Sequence, residues 1–244
     1  MSKKDVTKPI SLDPRGGRPR EKCVTYIEGI DRILNGGLPI GNIVLLAGTV
    51  GSGKTTLAME YLINGAKNGE TCCYISVTEP SSKMLSNLQT YGFFDDALVK
   101  DGRLNIFDLT VINDRLGVER LDGTYSSKDM EALLGAFEDI VDELGVTRLV
   151  IDSITAICYQ LPDKGSIRNF IFRLSQFLST FGCTTMLISE TVVDSNTQTY
   201  SIFGVEEAVA DGVILMGNII PVSYTHLRAH ETREDLVCRL GLEK

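Results

Sequence analysis

Gly48-Thr49-Val50-Gly51-Ser52-Gly53-Lys54-Thr55 is the stretch that decides the fold. It fits G-x-x-x-x-G-K-S/T and stands where a phosphate-binding loop must stand, after the apolar run 43–47 and before a helical pattern over 55–67. Glycines let the backbone turn tightly and aim successive N–H groups at phosphate oxygens, and the helix N-terminus adds partial positive charge. Residues Gly48, Thr49, Val50, Gly51, Ser52, Gly53, Lys54, Thr55 and Thr56 are therefore the expected nucleotide-binding set. Lys54 is expected to reach the β- and γ-phosphates and the Thr55 hydroxyl to ligate Mg²⁺.

Such a loop needs an acidic partner at the end of a neighbouring strand. Asp152, closing Leu149-Val150-Ile151-Asp152, supplies it and is expected to hold the metal through water. Hydrolysis also needs a group that orients or deprotonates the attacking water, and Glu79, just past a strand at 72–77, stands in position for that role. It could equally open the following helix, where negative charge is favoured. Ser189 and Glu190 end another strand and are candidate γ-phosphate sensors. No N/T-K-x-D base-reading motif follows, which argues against a Ras-like GTPase.

Outward from the loop, short apolar runs at 72–77, 104–107, 148–151, 185–189 and 213–216 alternate with helical patterns. The clearest helix starts at Ser126, with Asp129 three residues on, and continues through Met130, Leu133, Leu134, Phe137 and Val141. A second stripe runs from Ile167 to Phe181. Continuous apolar strands alternating with amphipathic helices predict an α/β fold, a mainly parallel sheet with helices on both faces.

The 244 residues are 43% hydrophobic, with 7 Pro and no Trp, so collagenous, disordered and disulfide-scaffold classes are excluded. No window approaches a membrane span, and the first thirty residues lack the apolar core of a secretory signal, so the cytoplasm is the expected compartment. The 6 cysteines include no C-x-x-C pair and read as buried reduced thiols, with adjacent Cys72 and Cys73 on opposite sides of a strand. A net charge of -8 argues against a whole-surface nucleic-acid binder. Residues 1–22 nevertheless carry seven basic side chains against three acidic ones and three prolines, and read as a flexible basic leader.

The segment leading into the loop, Gly29-Ile30-Asp31-Arg32-Ile33-Leu34-Asn35-Gly36-Gly37-Leu38-Pro39-Ile40-Gly41, resembles that of KaiC-type ATPases of the RecA superfamily. Gly204-Val205-Glu206-Glu207 followed by Ala210-Asp211-Gly212 is similar to the family's pattern before its next core strand. The resemblance implies a RecA-like domain over about 23–220 that uses ATP and Mg²⁺ and assembles as a homo-oligomer, a ring or filament with ATP at subunit interfaces. The family carries two adjacent glutamates after the second core strand. Here the pair reads Thr78-Glu79, one retained and one replaced.

After 213–216 the family has further strands and a basic loop that reaches the neighbouring subunit's γ-phosphate. Residues 221–244 match neither and instead resemble a translated sequencing-adapter read-through, so they are expected to be non-native, with the final strands missing and the 213–216 strand left unpaired at one edge. The leading expectation is an ATPase serving an unknown regulatory or signalling protein partner. The alternatives are a recombinase-like module on single-stranded DNA, which the acidity disfavours, and a nucleotide-sensing scaffold with negligible turnover.

Overall fold

The computed structural model describes residues 21–117, 124–191, 200–217 and 238–240. β1 (Lys22–Cys23) pairs antiparallel with β2 (Leu38–Pro39), with α1 (Glu28–Ile33) between them. The chain continues through β3 (Ile43–Gly48), α2 (Lys54–Lys67), β4 (Cys72–Ser76), α3 (Ser81–Leu88), α4 (Ala97–Lys100), β5 (Leu104–Asp108), α5 (Leu109–Leu116) and α6 (Ser127–Leu144). Then come β6 (Arg148–Asp152), α7 (Ile154–Cys158), α8 (Lys164–Phe181), β7 (Thr184–Glu190), a short 3-10 turn at Glu206–Ala208, β8 (Gly212–Met216) and β9 (Cys238–Leu240). The main sheet has the order β5-β4-β6-β7-β3-β8-β9, and every pairing in it is parallel.

The central strands are largely apolar because both faces are covered, and successive side chains feed opposite cores. Ile43, Leu45, Cys73, Ile75, Leu149 and Ile151 pack with Phe137 of α6 and Phe170 and Leu174 of α8. Val44, Leu46, Cys72, Tyr74, Val150 and Met186 pack instead with Ala58 and Leu62 of α2 and Leu88 of α3. Cys72 and Cys73 thus enter different cores, and burial pushes the Cys72 thiol up to about 12. Each large apolar side chain so buried contributes roughly 1.5–3 kcal/mol.

Local chemistry sets the helix ends. The Ser126 hydroxyl accepts from Asp129 N at 3.2 Å while the Asp129 carboxylate accepts from Ser126 N at 2.9 Å, a complete capping box at the start of α6. α8 begins on Asp163, which accepts from Ser166 N, and α6 and α8 each stop at a left-handed glycine, Gly145 and Gly182. No described helix is long and apolar enough to cross a membrane.

The start of β6 carries a clamp. Arg148 is fully buried; its Nε donates to Glu70 Oε2 at 2.6 Å, Nη1 to Tyr61 O at 3.0 Å and Nη2 to Val24 O at 2.7 Å. The guanidinium centre also lies 4.7 Å from the Tyr61 ring centroid. This cluster pins the segment following β1 to the end of the sheet where the strands begin.

Several expectations need amending. Lys22, counted in the leader, belongs to β1, where its ammonium donates to the carbonyls of Leu34 and Gly37 at 3.4 and 3.2 Å. The β8 edge expected to be bare is paired in parallel with Cys238–Leu240, a strand inside the stretch read as non-native. The rest of that stretch, and residues 1–20 of the leader, lie outside the described residues.

Candidate phosphate-binding and catalytic site

The loop between β3 and α2 is built on glycines in the left-handed region, Gly51 at φ 78° and Gly53 at φ 91°. A side chain at either position would strain the turn. Gly53 is the N-cap of α2 and offers no side-chain acceptor to the first N–H groups of the helix. These donors and the helix dipole converge where an anion would sit. The Ser52 hydroxyl, buried in the loop, has no hydrogen-bond partner among the described residues. Val50 at the loop tip is 81% exposed.

Lys54 folds back into this loop. Its ammonium donates to Gly48 O at 2.9 Å and Thr49 O at 2.8 Å. Burial lowers its pKa below the ordinary lysine value, and the carboxylates of Asp152 and Glu190 oppose that shift. A phosphate brought to the loop would favour the charged form further. The Thr56 hydroxyl, one residue beyond Thr55, lies 3.3 Å from Tyr91 OH.

Thr55 and Asp152 are brought together across 97 residues: Thr55 Oγ1 donates to Asp152 Oδ2 at 2.7 Å. Tyr74 OH donates to the same Oδ2, also at 2.7 Å. Burial, then the charges of Asp152 and Glu79, push the Tyr74 phenol well above its ordinary value, so it remains a donor. A threonine hydroxyl beside a carboxylate at a strand end is the hard-oxygen donor set that Mg²⁺ takes, and it fits that ion. The Asp152–Ser153 peptide is cis.

Glu79 is held by its backbone at the end of β4. Ser76 Oγ donates to Glu79 O at 2.5 Å and accepts from Glu79 N at 3.2 Å, while Val77 N donates to Asp152 O at 2.7 Å. The turn carrying Glu79 is thus fixed beside Asp152. Its carboxylate is 2.8 Å from the Lys83 ammonium.

The candidate sensors separate. Glu190 stands opposite Gly48 in the β3–β7 register and is close enough for its charge to act on Lys54. Ser189 points to the other side of the sheet, where it is fully buried and shares a 3.1 Å hydrogen bond with Thr155 Oγ1. The structure therefore brings Glu190, but not Ser189, to the lysine, because adjacent residues of a strand face opposite ways. A hollow of about 310 Å³ between α6 and α8, lined by Glu131, Phe170 and Arg173 among others, contains none of these residues.

The family model described as "ATPase: KaiC" matches residues 23–229. The chain belongs to the KaiC ATPase family. Among its relatives, the circadian clock protein KaiC3 of Synechocystis sp. is 33% identical over 201 residues, covering 82% of this chain and 38% of that protein. The circadian clock oscillator protein KaiC of Thermostichus vulcanus is 32% identical over 201 residues, covering 82% of this chain and 37% of its own length. The chain therefore spans little more than a third of the curated relatives it matches. The crystal structure of a KaiC-like protein from the hyperthermophilic archaeon Pyrococcus horikoshii OT3 superposes with a TM-score of 0.67 at 28% identity, covering 82% of both chains. The all-parallel main sheet with helices on both faces is accordingly the α/β, RecA-like fold of a KaiC-family ATPase.

In this KaiC-family chain, sequence reasoning missed three polar supports: Tyr74 on Asp152, Ser76 under Glu79, and Thr155, which accepts from Glu190 N at 3.1 Å. Each lies inside an apolar stretch. For Tyr74, the strand pairing that sets Ser76 opposite Asp152 reveals what it supports.

Proposed function

We propose that this chain binds ATP with Mg²⁺ and hydrolyses it to ADP and phosphate, and that turnover drives self-assembly or a conformational change read by a regulatory protein partner. The observation that carries the reading is the 2.7 Å Thr55–Asp152 hydrogen bond directly behind a loop that encloses the Lys54 ammonium. Lys54 and the N–H groups opening α2 hold the β- and γ-phosphates. Thr55 and Asp152 would hold Mg²⁺, which would supply positive charge to offset that of the phosphate oxygens. Glu79 accepts a proton from the water whose oxygen bonds to the γ-phosphorus as the bond from that phosphorus to the ADP oxygen breaks. Glu190 tunes the charge on Lys54 from the facing strand.

Binding of a fluorescent ATP analogue and phosphate release, each with Mg²⁺ and with EDTA, test this in wild type and Lys54→Ala. Loss of both in the variant is expected; unchanged affinity and turnover would overturn the site assignment. The family resemblance supports a homo-oligomer, which sedimentation with and without ATP tests. A larger species under neither condition would reject it.

A specific contact favours a second reading, a nucleotide sensor with slow turnover. The Glu79 carboxylate is paired with Lys83, so one of its oxygens is already engaged rather than free for an attacking water. Phosphate release no faster than in Glu79→Gln would select this reading over the first.

A further inference from the structure

β4 and β6 pair so that Ser76 lies opposite Asp152 and Tyr74 opposite Val150. Tyr74 and Asp152 therefore lie on the same face of the sheet, diagonal to each other by two residues, a separation that an aromatic side chain leaning along its strand can bridge. The phenol does bridge it, and its hydroxyl meets Asp152 Oδ2 at 2.7 Å. Thr55 donates to the same oxygen, and among the described residues no hydrogen bond is made to Oδ1.

We propose that Tyr74 is a positioning residue for the magnesium-holding carboxylate: with Thr55 it fixes the Asp152 side chain through Oδ2 and leaves Oδ1 facing the metal's water shell. This rests on the nucleotide–magnesium reading above and adds a residue to it. Two donors on one oxygen select a single carboxylate rotamer before the metal arrives, so less ordering remains to be done when it binds. The ring itself is core: it lies among the apolar side chains between the sheet and α2. The hydroxyl is the part not required by packing, and its removal separates the two roles.

Tyr74→Phe keeps the ring and deletes the donor. The measurement is the Mg²⁺ concentration giving half-maximal affinity for a fluorescent ATP analogue, in wild type, Tyr74→Phe, Asp152→Asn and the double variant, with unfolding curves to confirm that each is folded. In Tyr74→Phe the half-saturating Mg²⁺ is expected to rise about tenfold, the scale of lost outer-sphere support at metal sites, with analogue affinity in EDTA unchanged. In the Asp152→Asn background the tyrosine substitution should add little, because the two residues act as one unit. An unchanged Mg²⁺ midpoint in folded Tyr74→Phe overturns the proposal. So does an equal loss of affinity with Mg²⁺ and with EDTA, which would make the hydroxyl a support of the loop. A wild type whose nucleotide binding ignores Mg²⁺ overturns the underlying reading instead.

Discussion

The Glu79 carboxylate and the Lys83 ammonium are 2.8 Å apart, one helical turn from each other at the start of α3. Lys83 is mostly exposed, so the pair is a weak one in energy, about 0.2–1 kcal/mol, yet it sits on the group assigned to activate water. Glu79→Gln should lower phosphate release by about a hundredfold or more while leaving nucleotide affinity near wild type. Lys83→Ala should raise turnover by about twofold, since it frees the carboxylate. Steady-state kinetics with affinity measured separately checks both. A slower Lys83→Ala would show that the lysine assists the reaction.

Thr55 is asked to serve as both metal ligand and donor to Asp152. Thr55→Ser keeps the hydroxyl and should retain magnesium-dependent nucleotide binding within about threefold, whereas Thr55→Val should lose the magnesium-dependent part, leaving the affinity measured in EDTA. Calorimetric titration with ATP in the presence and absence of Mg²⁺ separates the two.

The Arg148 clamp makes a stability prediction that runs against helix propensity. Glycine inside a helix normally costs about 0.5–1 kcal/mol relative to alanine. Gly65, however, lies in α2 against the guanidinium, and a Cβ there would stand 2.5 Å from Arg148 Nε and 2.7 Å from Cζ. Gly65→Ala should therefore destabilise. Arg148→Ala should cost about 3–5 kcal/mol, because it leaves the Glu70 carboxylate and the carbonyls of Tyr61 and Val24 without their donor. Urea unfolding of both variants is the measurement, and a stabilised Gly65→Ala would mean that the clamp yields.

Asp108 ends β5, caps α5 and also accepts from Ser81 N at 3.1 Å, so one carboxylate orders the start of two helices. Burial alone would raise its pKa. Hydrogen bonds from the Thr110 hydroxyl and from the backbone of Thr110, Ser81 and Val111 outweigh burial and hold it below the ordinary value of 3.8. A carboxyl depressed in the folded state contributes stability that is present above 3.8 and is lost as pH falls through its folded value. Wild type should thus shed stability below about pH 4 in part through this group. Asp108→Asn should be less stable at pH 7 by about 1–2 kcal/mol and should lose less on acidification, as read from denaturation midpoints at the two pH values.

The sequence made the phosphate loop, the strand-end Asp152 and the parallel sheet legible because each rests on local chemistry. Glycines at fixed spacing, an apolar run of strand length and a capping serine each act within a few residues. Position 74 was opaque for the opposite reason. A tyrosine in Cys72-Cys73-Tyr74-Ile75 reads as core, and only the β4–β6 register brings its hydroxyl to Asp152. Arg148 was taken for the first residue of a strand, and nothing local tells of its partners at Glu70, Tyr61 and Val24. Ser189 and Glu190 looked equivalent as neighbours in sequence, and the alternation of the strand sends only one to the lysine. The short helices α5 and α7 went unread because five to eight residues carry too little periodicity to stand out from loops.

β6 is five residues long, and both of its ends are spoken for. Arg148 at the first residue grips the backbone just after β1, and Asp152 at the last holds the Thr55 hydroxyl. The backbone at Val24 is therefore anchored at the pole of the sheet away from the phosphate loop. A pull applied there and a nucleotide bound at the other pole would meet on the same strand, reaching it through one hydrogen bond at each end.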